Sequence, residues 1–132
     1  MTRPEPPVRL ILDRSALLAY LAGSMDVAET LHEVTQDGVC YGIPTITAAD
    51  TLASVDDPHD RAVLLRLFDN DACVLVDTHG GQVQELAFWQ QSTGRLDTAA
   101  AVLAALDHEA WLLTGEPKCY DENLSIIEIG AG

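Results

Sequence analysis

Four acids of this 132-residue chain sit where their side chains could act together: Asp13, Asp50, Asp97 and Glu116. Asp13 closes the apolar run Val8-Arg9-Leu10-Ile11-Leu12, and Glu116 follows the run Ala110-Trp111-Leu112-Leu113-Thr114. Asp50 lies in the stretch after Ile43-Pro44, and Asp97 opens the Ala-rich segment that continues Thr98-Ala99-Ala100-Ala101. Ligands of open α/β sheets gather outside the carboxyl ends of the strands, where such acids would stand. Each acid also has a plainer reading. Asp13 and Asp97 suit helix N-caps, Asp50 could be a surface acid at the edge of an apolar stripe, and Glu116 could be an ordinary loop residue before Pro117. Among 21 acids, some convergence is expected by chance.

Other chemistries find less support. His32, His59, His79 and His108 stand alone, without the spacing of a zinc site. Cys40, Cys73 and Cys119 are odd in number and widely spaced, and read as reduced thiols, two of them on predicted strands. The pair Gly80-Gly81 is too little for a nucleotide-binding loop. A phospho-receiver would use Asp13, Asp77 and Thr114 at strand ends, but it has no use for acids at 50 and 97, and Lys118 follows the wrong strand.

The elements that must position the acids follow from periodicity. Strands are predicted at residues 8–13, 39–44, 73–77, 110–114 and 124–129, each a short apolar run of the kind buried on both faces of a parallel sheet. Helices are predicted from Ser15 to a C-cap near Gly23, at 26–35 with Val27, Leu31 and Val34 on one stripe, and from a Thr45 or Thr47 cap through about Val55. Further helices are predicted at 58–68, from Gly80-Gly81 to about Gln91, and at 97–109, with 92–94 as a separator. Strands alternating with helices imply right-handed crossovers and a three-layer α/β/α domain around a mostly parallel sheet of four to five strands. Residues 1–7, with three prolines, are expected to be a flexible leader, and residues 8–132 a single domain.

Composition bounds the partners. Hydrophobic residues make up 48%, which with this periodicity excludes a disordered chain. No apolar run reaches the length of a membrane span, and the N-terminus lacks a signal-peptide layout, so a soluble, cytoplasmic protein with no membrane association is expected. Only seven basic residues face 21 acids, for a net charge of −14. Such a chain repels polyanions over most of its surface, so non-specific nucleic-acid binding should be weak and a basic protein or a metal cation is easier to attract.

Over nearly the whole chain, four segments in order resemble the PIN-domain family of toxin-type ribonucleases, in particular its actinobacterial branch. They are residues 10–21 (LILDRSALLAYL), 43–50 (IPTITAAD), 96–105 (LDTAAAVLAA) and 112–120 (LLTGEPKCY). The resemblance implies a PIN-like fold and an Mg²⁺- or Mn²⁺-dependent ribonuclease with Asp13, Asp50, Asp97 and Glu116 as catalytic acids. Asp13, Asp97 and Glu116 would be the metal ligands. Physical chemistry is consistent with this, since crowded carboxylates require a neutralising cation and oxygen-only ligands suit these ions. The substrate-binding set would be Ser15, Arg14, Thr114, Arg95 and Lys118. Of these, Arg14, Arg95 and Lys118 stand within two positions of an acid of the set and could contact phosphates or simply neutralise the neighbouring acids.

The chain departs from the family pattern at three positions. Asp50 stands where Glu is usual, Glu116 where Asp is usual, and Arg14 where a small residue is usual. Each acid exchange moves a carboxylate by about one C–C bond, roughly 1.5 Å, which leaves open both a compensated site and a decayed one. Two functions therefore compete: an RNA-cleaving enzyme with a basic antitoxin-like partner, or a non-catalytic PIN-like module that binds or regulates a protein. A homodimer is also left open.

Overall fold

The computed structural model describes residues 5–130. The expected leader falls outside the described residues up to residue 4. Residues 5–7 have no regular structure, and the Pro7 carbonyl accepts a hydrogen bond from the Cys40 amide.

In chain order the elements are β1 (Val8–Leu12), α1 (Arg14–Leu21), α2 (Met25–Gln36), β2 (Cys40–Pro44), α3 (Thr45–Ser54), α4 (Pro58–Phe68), β3 (Cys73–Val76), α5 (Val83–Thr93), α6 (Leu96–His108), β4 (Trp111–Thr114) and β5 (Ile126–Glu128), with single 3₁₀ turns at Gly80–Gln82 and Pro117–Cys119. The five strands form one wholly parallel sheet in the order β3-β2-β1-β4-β5. From β1 the chain builds outward through β2 to β3, then returns to the other side of β1 to lay down β4 and β5. The order therefore reverses between β1 and β4. That is the topological switch point, where the crevice of an open α/β sheet forms.

β1 lies at the centre because its residues have apolar partners on both faces. Leu10 and Leu12 pack with Leu17, Val27, Tyr41, Ile43, Leu64 and Leu67 beneath α1, α2 and α4. Val8 and Ile11 pack with Ala101, Val102, Ala105 and Leu112 against α6 on the other face. The Ala-rich composition of α6 follows from this position. Every residue from Asp97 to Ala105 is buried, and small side chains let the helix approach both the sheet and α5 closely. Gly42 serves the same end within β2, since a Cβ there would come within 2.9 Å of side-chain atoms of both Val8 and Ile11.

Several predicted boundaries shift. Neither Thr45 nor Thr47 caps α3. The helix starts directly after Pro44, while the Thr45 hydroxyl donates to Asp77 and that of buried Thr47 to the Asp97 carbonyl. The expected separator at 92–94 reduces to Gly94, because α5 continues to Thr93 and the turn is made by Gly94 at φ +92°. The N-cap of α6 is Arg95 rather than Asp97, which lies within the first turn. All three cysteines are free, as expected.

Candidate functional site

The carboxyl ends of β1 and β4 flank the switch point, and the residues following them are tied together. Asp13 caps α1, its Oδ1 accepting from the Ala16 amide at 2.9 Å and from the Ser15 hydroxyl at 2.6 Å. The Ser15 Oγ lies 3.2 Å from the Thr114 Oγ1 and accepts from the Gly115 amide at 2.8 Å. The Glu116 amide in turn donates to Thr114 Oγ1 at 2.9 Å. The hydroxyls expected at substrate thus join the loop after β4 to the first turn of α1. Thr114 is fully buried and takes part in this bracing.

Asp13 is itself fully buried, and its Oδ2 accepts a 2.7 Å hydrogen bond from the Tyr120 hydroxyl. Tyr120 was not singled out by sequence, because nothing local signals a partner 107 residues away. The 3₁₀ turn at Pro117–Cys119 ends on Tyr120, whose side chain is buried. Burial, and next the nearby Asp13 charge, raise the Tyr120 pKa, so its proton stays on the phenol.

Asp97 is only 5% exposed, at the start of α6. Arg95 reaches it with Nε at 3.1 Å from Oδ1 and Nη2 at 3.4 Å from Oδ2. The same Nη2 donates to Glu116 Oε2 at 2.7 Å, so one guanidinium bridges acids from α6 and from the loop after β4. The hydrogen bond to Glu116, followed by that to Asp97, raises the Arg95 pKa against the opposing effect of burial. Cys119 Sγ lies 3.8 Å from Glu116 Oε2, and burial followed by the Glu116 charge raises its thiol pKa.

Asp50 stands apart from this group. It is exposed on α3 and faces Arg14, with Nε 3.6 Å from Oδ2, across a cleft of ≈ 350 Å³ also lined by Ile46, Arg95, Leu96 and Asp97. Arg14 therefore pairs with Asp50 rather than with the adjacent Asp13. Lys118 is exposed and makes no ion pair among the described residues. The cleft thus carries two basic and two acidic side chains, Arg14, Arg95, Asp50 and Asp97.

As placed, no three His, Cys, Asp or Glu side chains among the described residues surround a point where a metal ion could sit. In chemistry the set fits a hard divalent cation. Asp13, Asp97 and Glu116 offer oxygen only; Asp97 and Glu116 share a single guanidinium, and the donors to Asp13 are all neutral. Asp13 Oδ2 and Glu116 Oε1 also retain acceptor capacity.

No protein-family profile matches the sequence, and no curated protein does. Solved structures do match in fold. A chain of a toxin–antitoxin complex from Klebsiella pneumoniae superposes with a TM-score of 0.73 at 13% identity, covering 92% of this chain and 98% of that one. A chain of VapBC2 from Rickettsia felis, solved bound to a DNA fragment from their promoter, gives 0.67 at 11% identity with the same coverages. The α/β fold with its parallel five-stranded sheet is thus one that chains of toxin–antitoxin complexes share.

Proposed function

We propose that this protein is a PIN-type, Mg²⁺- or Mn²⁺-dependent ribonuclease that cleaves RNA phosphodiester bonds as the toxin-like member of a toxin–antitoxin pair. The observation that carries this reading is that Arg95 joins Asp97 of α6 to Glu116 of the loop after β4, while that loop is tied through Ser15 and Thr114 to the turn that carries Asp13 after β1, beside the switch point. Asp13, Asp97 and Glu116 would hold the cation. Once bound, such an ion supplies a positioned, activated water and neutralises charge that develops on the phosphorus oxygens.

The rest of the site belongs to the chain's own residues. Ser15, Tyr120 and the Ala16 amide fix the Asp13 carboxylate in one orientation. Arg14 at the cleft and Lys118 on the adjoining loop provide positive charge for RNA phosphates in a chain whose remaining surface repels them. Asp50, exposed and paired with Arg14, sets where that arginine stands. The net charge of −14 favours a basic antitoxin as the protein partner.

Incubating wild type and Asp97→Asn with single-stranded RNA, with Mn²⁺ or with chelator, tests the assignment. Cleavage that needs both the metal and Asp97 is expected. A folded wild-type protein that leaves RNA intact at millimolar Mn²⁺ overturns the enzymatic reading. The pairing of Arg95 with Asp97 and Glu116, and of Arg14 with Asp50, would then favour the second reading, a non-catalytic module that binds a basic protein.

A further inference from the structure

We propose that Arg95 is the resident counter-ion of the acidic cleft, and that a divalent cation binds only by displacing its guanidinium from Asp97 and Glu116. This deepens the nuclease reading and rests on its metal site. The space between those two carboxylates is held by a side chain of the same protein, with Nη2 2.7 Å from Glu116 Oε2 and 3.4 Å from Asp97 Oδ2. A guanidinium and a divalent ion cannot share those oxygens without strong mutual repulsion.

The backbone of Arg95 is built to hold it there. Gly94 turns the chain in the left-handed region at φ +92°, directly after α5. The Arg95 carbonyl then accepts from the Thr98 hydroxyl at 2.9 Å, the Ala99 amide at 3.2 Å and the Thr93 hydroxyl at 3.3 Å. Those donors fix the Cα while leaving the side chain, 41% exposed, free to rotate outward. The backbone is therefore anchored and the cation is movable. Arg14 differs, since its one ion pair among the described residues is with exposed Asp50, at 3.6 Å.

The charge balance sets the direction of the exchange. Asp97 and Glu116 against one guanidinium leave an excess of one negative charge when Arg95 is in place, which draws a divalent ion inward. Asp97 and Glu116 must first be released by the arginine before the ion takes them. Arg95 thus sets the metal concentration at which the site fills.

Calorimetric Mn²⁺ titration of wild type, Arg95→Ala, Arg95→Lys and Arg14→Ala tests this, with metal-free and Mn²⁺-loaded melting temperatures as the second measurement. Arg95→Ala should bind Mn²⁺ at least about tenfold more tightly, a difference near 1.4 kcal/mol. It should also melt lower without metal and gain more on loading. Arg95→Lys, which keeps the charge but lacks the planar fork that spans two acids, should fall between. Arg14→Ala should change affinity by less than about threefold. Affinity unchanged or weakened in both Arg95 variants overturns the proposal, and the lysine variant decides it if the alanine variant does not fold. RNA cleavage separates this outcome from the parent reading. Tighter Mn²⁺ binding by Arg95→Ala without cleavage by any variant sustains the counter-ion and sinks the nuclease. Metal-dependent cleavage by wild type with no gain in affinity does the reverse.

Discussion

Removing one oxygen from Tyr120 tests how the buried Asp13 is maintained. The Tyr120→Phe change deletes the hydroxyl that donates to Asp13 Oδ2 at 2.7 Å and leaves the ring in place among Val8, Ile11, Val102 and Leu112. Apolar burial is therefore nearly unchanged, and the measured effect is that of the hydrogen bond. A bond to a charged group is worth about 1.5–3 kcal/mol, and one left unmade in the interior costs as much again as its desolvation requires. Asp13 is fully buried, so water does not replace the lost donor, and a destabilisation of about 2 kcal/mol is expected. For a chain of this size that corresponds to a fall in melting temperature of roughly 6–10 °C. Urea unfolding of wild type, Tyr120→Phe, Asp13→Asn and the double variant measures it. The two single effects should be strongly non-additive, because they share one bond. A loss below about 0.5 kcal/mol, or simple additivity, would show that Asp13 does not depend on Tyr120 and refute the argument.

Two further outcomes are expected. Gly42→Ala should cost about 1–3 kcal/mol in the same urea assay, because the new methyl meets Val8 and Ile11 at 2.9 Å and Val76 at 3.0 Å; a neutral result would mean those side chains have room to withdraw. Stability should also decline in alkali. Burial raises the Cys73 thiol from its ordinary 9.0 to about 11 and raises both Tyr41 and Tyr120, so the folded state retains protons that the unfolded chain gives up. The stabilisation from Cys73 is complete below pH 9.0 and is lost as pH rises toward about 11, a loss that Cys73→Ala should reduce in a pH series of melting temperatures.

The fold was largely legible because its strands are short apolar runs with polar ends, and β1 through β4 fall within a residue or two of their expected positions. β5 is shorter than expected, three residues within 124–129, since only Ile126–Glu128 pair with β4. Helix starts were read less well where a hydroxyl that could cap locally had a tertiary partner, as with Thr45 and Asp77. The site shows the same division. Asp13 and Glu116 were expected after strands and Asp50 and Asp97 in helices, and the resemblance joined them into one set, but their partners could not be read from the sequence. Proximity in sequence suggested that each basic residue serves the acid beside it. Arg14 instead reaches across to Asp50, and Arg95 serves Glu116, 21 positions on, as well as Asp97. Such pairings depend on side-chain reach across the switch point, which no local pattern encodes.

The central position of β1 also governs when the cleft can exist during synthesis. Residues 8–12 leave the ribosome before the rest of the sheet, yet their two sheet neighbours are drawn from 40–44 and 111–114, and Asp13 receives its last donor from residue 120. The β1–β2 side can collapse first, through contacts of moderate separation, whereas the β1–β4 side must wait for α6 and the loop beyond it. The cleft is complete only once the chain has emerged through residue 120.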